Sequence, residues 1–495
     1  MMFWALATGL ALGVLGWPGL WAWAGLLWPL AFARAFTCPP KLSRLLAFGF
    51  GLAQGQFVWL ISALQPASGR PWPLDWLLLS FGGWVLSLPL VALLWVLARW
   101  ARRRVKEASA LFFWGFPLVY GLHLYLRDYF PLSGLVASSP AALSPVVDLW
   151  GPAYRIWGVK GMELALLWSG LLLAWAWHHR RALWAPWALL PLLLVFLSGW
   201  LWPPPPAQGP SFEVAYLPWR GIVGTDPPRQ RALAEMLVRN AQFPEVPLIL
   251  WPESALPGNA AEGRALEQLQ SKLNPGQSLL FGVNRAELAG DHLNYANAAY
   301  LLSAGEFSPQ FVAKEYLVPG VETALGGFTI IPRQFTYRSG SPVWFKVNGL
   351  SLAPGLCSEQ FIEPWYRSRE EQAQGYVFLS RWFLFGPLGR ELLHNLGRAY
   401  AAQTDKPVVQ VVNGGLSGPV MARLKGQDLG QWKPEAMGGK ALVIGQDSQS
   451  PYYRFGPGLL LVAQLLAGLL AFKQLTPARP PVPPDDATAN NPPVS

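Results

Sequence analysis

The sequence predicts a multi-pass α-helical membrane bundle carrying one layered α/β domain on the extracytoplasmic side, and three observations predict it. Residues 1–201 are dominated by Leu, Trp, Ala, Phe and Gly, in runs long enough to cross about 30 Å of hydrocarbon as helices. Residues 211–455 are mixed in polarity and alternate between strand-like and helix-like patterns. The cationic residues of the apolar part gather in a few short connections, as they do when they orient helices in a bilayer.

Taken in order, eight spans are expected near 2–16, 19–35, 45–65, 76–98, 108–126, 162–177, 182–201 and 456–472. Seven fall within 1–201 and the eighth follows the polar domain. Gly82-Gly83, Pro89, Gly115 and Pro117 lie inside spans, where they permit close helix approach and bends. The stretch 127–160, interrupted by Pro131, Pro140, Pro145 and Pro152, reads as an outside loop with room for a short surface segment. Pro203 to Pro206 end the seventh span and stiffen its connection to the domain.

Orientation follows from charge. With a cytoplasmic N terminus, twelve basic residues lie inside: Arg34, Lys41, Arg44, Arg99, Arg102, Arg103, Arg104, Lys106, Arg180, Arg181, Lys473 and Arg479. Four lie outside, Arg70, Arg127, Arg155 and Lys160. That bias places 211–455 outside the cytoplasm and both termini within it. It also accounts for much of the net charge of +10 without nucleic acid, and makes Arg102-Arg103-Arg104 an orienting cluster. No basic segment precedes Phe3, so the first helix is expected to remain uncleaved. Cys38 and Cys357 fall on opposite sides and are not expected to pair.

Within the domain, strands are expected at 212–217, 246–251, 278–283, 294–302 and 407–412, with 354–356 leading into Cys357. Helices are expected at 229–242, 261–272 and 391–404. The tail 474–495, Pro-rich and containing Asp485-Asp486, reads as disordered. His178-His179 beside Arg180-Arg181 suits an interfacial turn, and no clustered His/Cys/Asp pattern points to zinc. Neither Gly326-Gly327 nor Gly414-Gly415 has the strand-to-helix fingerprint of a nucleotide site.

The chemistry-bearing residues are Glu253, Lys314 and Cys357. A thiolate attacks an acyl carbonyl, a carboxylate accepts its proton, and an ammonium meets the charge that develops on oxygen. Glu253 and Cys357 each follow an apolar strand-like run, which would bring both to strand ends. On the residues alone Cys357 can equally be a buried structural thiol and Lys314 a surface charge. Phe361, Trp365, Tyr366, Trp382, Phe383 and Phe385 suit either a core or a lid that dips into lipid.

The order Trp251-Pro252-Glu253-Ser254, Tyr295-Ala296-Asn297-Ala298-Ala299-Tyr300, Lys314 with Leu317-Val318-Pro319 and Glu322, then Cys357-Ser358-Glu359, resembles the apolipoprotein N-acyltransferases. These form the membrane branch of the nitrilase superfamily, and the resemblance extends over nearly the whole chain. It implies an eight-span bundle with a nitrilase-like α-β-β-α sandwich between the last two spans. It implies Glu253 as general base, Lys314 as oxyanion stabiliser and Cys357 as nucleophile, with Glu322 and Glu359 in support. Trp382-Phe383 resembles an aromatic pair in a mobile loop for lipid access, and Asn413-Gly414-Gly415 a late Asn-containing turn.

The implied reaction moves an acyl chain from a membrane phospholipid to Cys357, then to the α-amine of a diacylglyceryl-cysteine at the N terminus of an apolipoprotein. It implies a bacterial plasma membrane location and requires no metal or cofactor. The sequence departs from the family at Ser358, usually Tyr, at Ser380-Arg381, usually Asn-Asp-Ala, and at Gly320-Val321-Glu322, usually Phe-Gly-Glu. A membrane amidase or other acyl transferase with the same triad, and an inactive lipoprotein-binding scaffold, stand as alternatives. The oligomeric state, the preferred phospholipid and the lipoprotein clients are left open.

Overall fold

The computed structural model describes residues 1–36, 39–61, 71–104, 108–129, 139–142, 144–180, 182–203, 205, 209–218, 237–255, 264–289, 292–306, 310–318, 322–323, 335, 341–382, 385–420 and 439–455. The expected eighth span, the tail, Cys38 and Phe383 lie outside the described residues, as does most of the helix expected at 229–242.

The apolar part is helical: α1 (Met2–Val14), α2 (Leu20–Gly25), α3 (Trp28–Ala35), α4 (Leu42–Phe57), α5 (Trp72–Arg104), α6 (Ala108–Tyr129), α7 (Ser144–His178) and α8 (Leu190–Leu201). Among the described residues, two helical stretches are long and apolar enough to cross a membrane, Trp72–Arg103 and Gly151–His178. The expected span 19–35 is broken into α2 and α3, because Pro29 in the first turn of α3 lacks an N–H to continue the preceding helix. The expected span 182–201 begins as a 3-10 helix, Ala182–Leu189, before α8. Helices α1 and α4 pack backbone to backbone. A Cβ on Gly13 would lie 2.8 Å from the Cα of Gly55, an approach that only small residues allow. Phe32, Phe36, Phe48, Phe112, Phe113 and Phe116 fill the centre of the bundle.

Over 144–160 the expected outside loop is corrected by α7, which starts at Ser144 and runs through the supposed loop residues, while 130–138 lie outside the described residues. Pro145 falls in its first turn, where a missing N–H breaks no bond, while Pro152 and the positive φ of 65° at Gly158 bend it. Its charges are not solvated. Arg155 makes a two-point contact with Asp405 at 2.6 Å, and Lys160 pairs with Glu363 at 2.9 Å, all four buried. A polar stretch that looked like a loop is therefore a helix whose cations face another part of the same chain.

That other part is a two-sheet α/β sandwich. One sheet has six strands in the order β11-β1-β2-β3-β4-β5, the other five in the order β10-β9-β8-β7-β6. Their ranges are β1 Ser211–Tyr216, β2 Leu248–Leu250, β3 Ser278–Ala289, β4 His292–Ser303, β5 Gln310–Ala313, β6 Phe345–Val347, β7 Leu350–Leu356, β8 Gly375–Arg381, β9 Val408–Asn413, β10 Gly418–Pro419 and β11 Gly439–Ile444. In both sheets three parallel strands form the centre and antiparallel strands flank them. Central strands buried on both faces read as nearly continuous apolar runs, as in Val408-Val409-Gln410-Val411-Val412. The antiparallel β5, β6 and β11 and the parallel β8 carried no expectation from sequence.

Between the sheets, alternate residues form one apolar layer that includes Val214, Leu250, Leu301, Val312, Leu352, Leu379 and Val411. The outer face of the first sheet is covered by α9 (Arg264–Gln270), with Leu269 and Leu273 against Ile249 and Phe281. On the outer face of the second lie α10 (Glu363–Arg367), α11 (Pro387–Ala402) and α12 (Pro451–Phe455). Trp17, Trp59, Tyr154 and Met162 of the apolar part belong to that same core, so the second sheet is the one seated on the helical bundle.

Candidate active site

The inter-sheet layer turns polar at one end. Along β4 the inward row Leu301, Ala299 continues to Asn297, and along β5 Val312 is followed by Lys314. Across the gap, the row Val377, Leu379 of β8 continues to Arg381, and Val409, Val411 of β9 to Asn413. A period of two places all these residues on the inner face. An apolar side chain at each would contribute about 1.5–3 kcal/mol of burial, which the polar row forgoes. Glu253 enters from the loop after β2 and Cys357 from the end of β7.

Local backbone geometry aims these two. Cys357 has φ 51° between β7 and a 3-10 helix, Cys357–Phe361, and Ser254, next to Glu253, has φ 52°. A left-handed conformation in a residue with a Cβ stores of order 1–3 kcal/mol and persists only where the surroundings enforce it. Gly282 on β3 lies so close to this loop that a Cβ would sit 2.6 Å from the Cα of Glu253. The Gly282 N–H donates to the Pro252 carbonyl at 3.2 Å, and the Trp251 indole donates to Asn240 at 2.9 Å.

Glu253 is 6% exposed. Its Oε1 accepts from Asn297 Nδ2 at 2.6 Å, while Oε2 is buried and accepts no hydrogen bond among the described residues. One carboxylate oxygen is thus held and the other is open to a proton. Lys314 is enclosed, and its ammonium donates to both oxygens of Glu322 at 2.9 and 2.7 Å. Glu322 also accepts from the Val318 N–H at 2.7 Å and from Asn297 at 3.3 Å. Asn297 therefore joins Glu253 to the Lys314–Glu322 pair. Its motif was visible in sequence, its role as the link was not.

Glu359 ties two segments together. Its Oε1 accepts from the N–H groups of Glu315 and Tyr316 at 2.7 and 3.2 Å, and Oε2 from that of Leu356 at 2.8 Å. The residue after Lys314 and the residue before Cys357 thus hang from one carboxylate. Burial pushes the Glu359 carboxyl up to about 7, against the lowering effect of Lys314 and of these N–H donors.

The electrostatics show which groups share the site. Burial raises the Cys357 thiol pKa, the Glu253 charge raises it further, and Lys314 and a hydrogen bond from the Arg381 backbone oppose them. Burial likewise raises the Glu253 carboxyl, with Lys314 opposing. For Lys314, burial lowers the pKa but Glu322, Cys357, Glu253 and Glu359 together outweigh it, so the ammonium stays charged. Arg381, lowered by burial, is held up by Glu253 and Cys357. A thiol held against ionisation beside Glu253 and the charged Lys314 suits proton transfer during attack rather than a standing thiolate.

The five expected residues Glu253, Lys314, Cys357, Glu322 and Glu359 come together. Trp382, expected at a point of substrate access, lies in the core in this structure. It is fully buried, its N–H donates to the Asn413 carbonyl at 2.9 Å, and its indole stacks on Phe361 with centroids 6.5 Å apart. The physical reason is its place just past β8, where the chain turns under the outer core that also holds Trp365 and Tyr366. Arg381 and Asn413 were not assigned a role from sequence, although the polar residue ending each apolar strand was a readable signal.

No family model matches the chain. It is similar to apolipoprotein N-acyltransferases. With the protein of that description from Pseudomonas paraeruginosa it is 26% identical over 533 residues, covering 93% of this chain and 97% of the relative. With that of Caulobacter vibrioides it is 27% identical over 246 residues, a match that spans 46% of the relative's length. Among solved structures, an amidase from Nesterenkonia sp. is matched at 16% identity over 52% of this chain and 97% of that one, with a TM-score of 0.32. A carbon-nitrogen hydrolase from Helicobacter pylori is matched at 13% identity over 42% of this chain and 79% of that one, also at 0.32.

Proposed function

We propose that this protein is a multi-pass membrane acyltransferase that moves an acyl chain from a phospholipid to the N-terminal α-amine of a diacylglyceryl apolipoprotein. The observation that carries the reading is the open oxygen of Glu253, in a buried network with Asn297, Lys314 and Glu322, near enough to the Cys357 thiol, on its left-handed turn, to act on it electrostatically. The low-identity similarity to apolipoprotein N-acyltransferases over 93% of the chain supports the choice of donor and acceptor. Outward-facing Trp21, Trp23, Leu183, Trp200 and Leu201, together with the two long apolar helices, support a bundle in lipid.

In the first stage Glu253 takes the Cys357 proton as sulfur bonds to the ester carbonyl carbon, and the resulting oxyanion faces Lys314. Collapse breaks the ester C–O bond, the proton passes from Glu253 to the departing glycerol oxygen, and a lysophospholipid leaves. In the second stage the lipoprotein amine attacks the thioester, Glu253 takes the amine proton, and expulsion of sulfur leaves an amide. That proton then returns to Cys357. Glu322 keeps Lys314 charged and Glu359 sets the spacing between the Lys314 and Cys357 segments, both as positioning residues.

The test incubates detergent-solubilised wild type and Cys357→Ala protein with phospholipid carrying a labelled acyl chain and a diacylglyceryl lipopeptide, followed by mass spectrometry. Label on Cys357 that passes to the lipopeptide amine is expected. Label released only as free acid would mean a hydrolase, and no covalent label on wild type would overturn the reading.

A further inference from the structure

The polar end of the inter-sheet layer has two walls, and of the second the proposed chemistry uses only Cys357, at the end of β7. On the first sheet, Lys314 is engaged by both oxygens of Glu322, and Asn297 bridges that pair to Glu253. On the second, Arg381 and Asn413 are register partners at the carboxyl ends of the adjacent parallel strands β8 and β9. Both continue inward-facing rows, and β7, which pairs with β8, ends at Leu356 immediately before Cys357. Ligands of parallel sheets collect at such carboxyl ends.

The side chain of Asn413 points to a ligand on this second wall, and Arg381 sets its place beside the thiol. The Asn413 side chain is fully buried, and neither its nitrogen nor its oxygen has a hydrogen-bond partner among the described residues. A buried amide without partners forfeits about 1–3 kcal/mol for each unmet group, a penalty that a bound polar ligand removes. Arg381 lies close enough to Cys357 and Glu253 for their charges to act on one another, so a group held by its side chain lies beside the reacting thiol. Guanidinium is planar, permanently charged and matched to two oxygens of a phosphate, and an amide nitrogen offers a further donor.

Resting on the acyl-transfer reading, we propose that Arg381 and Asn413 form the headgroup site of that reaction, binding the phosphodiester of the acyl-donor phospholipid and so setting its ester carbonyl over Cys357. The cation of one wall then meets the carbonyl oxygen and the cation of the other meets the phosphate. Substrate recognition is divided between the sheets. Acceptor specificity is not assigned to these two residues.

The test uses ligands that bind but do not react. Cys357→Ala protein in neutral detergent is titrated with a diether phosphatidylglycerol, which has phosphate but no ester, and with the matching diether glycerol, which has neither. Adding Arg381→Gln should weaken the phosphate-bearing lipid about tenfold or more and leave the neutral lipid within about twofold, with Arg381→Lys restoring part of the loss. Asn413→Ala should move the same ligand in the same direction by a smaller factor. Equal loss for both lipids, or no loss for either, would overturn the proposal, as would displacement of the bound diether by millimolar inorganic phosphate. Because no acylation is measured, this outcome is separate from whether Cys357 forms a thioester.

Discussion

Replacing Glu322 by glutamine keeps the shape of the side chain and removes the counter-charge of Lys314. The two carboxylate oxygens now accept from Lys314, Val318 and Asn297, with contacts at 2.9, 2.7, 2.7 and 3.3 Å. Glutamine offers one acceptor oxygen. Whichever way its amide is turned, the nitrogen confronts Lys314 and one further donor. Removing one partner of a buried ion pair costs about 3–5 kcal/mol, and the protein can recover part of that by releasing the Lys314 proton. The sign follows from the forces on Lys314: burial lowers its pKa, and Glu322 is the largest of the charges that raise it. Without Glu322 the pKa falls, so the ammonium is lost at a lower pH than in wild type. Single-turnover acylation of Cys357, followed from pH 6 to 10, should fall about 10²- to 10³-fold where the ammonium is absent, with a descending alkaline limb displaced to lower pH. An unchanged rate and pH profile would refute the argument that Glu322 maintains the charge facing the oxyanion.

Three other outcomes follow from the same geometry. Because burial and Glu253 raise the Cys357 pKa, iodoacetamide should alkylate wild type more slowly than free cysteine at pH 7, and Glu253→Gln should speed alkylation while stopping acyl transfer; slower alkylation in that variant would contradict the assignment. Trp382→Ala should lower stability by about 3–5 kcal/mol as a core truncation, measured by resistance to denaturant, and a fully stable variant with slow acylation would restore a role in lipid entry. Glu359→Gln turns an amide nitrogen toward the Leu356 N–H and should destabilise by about 1–3 kcal/mol with slower acylation, whereas normal acylation would show that this clamp does not set the spacing of Lys314 and Cys357.

The sequence announced some residues of the site more fully than others. Trp251-Pro252-Glu253, Lys314 and Cys357-Ser358-Glu359 drew their roles from the resemblance to a known family, since the residues alone left Cys357 equally a structural thiol and Lys314 equally a surface charge, and the strand before Glu253 is a plain apolar run. Asn297, Arg381 and Asn413 acquire meaning only when strand register brings their rows together, and register between β4 and β5 or β8 and β9 depends on residues far apart in the chain. Trp382 had the composition of an interfacial aromatic, but tertiary packing decided its burial. Helix α7 was concealed by its prolines and charges, and those charges were the signal of a docking face. Arg155 and Lys160 need partners 250 and 203 positions away, Asp405 and Glu363, which no local pattern reveals.

Those two ion pairs also give α7 a mechanical meaning. From Gly161 to His178 the helix rises about 27 Å, close to the thickness of a hydrocarbon layer, and Lys160 stands at one end of that stretch while His179 and Arg180 follow the other. If α7 spans the bilayer as proposed, the pairs at Asp405 and Glu363 clamp the second sheet, and with it the turn that carries Cys357, to a ruler whose zero mark is the lipid boundary. The depth at which an ester carbonyl meets the sulfur is then a dimension of this helix, and a thicker or thinner membrane would present its lipids to the site at the wrong height.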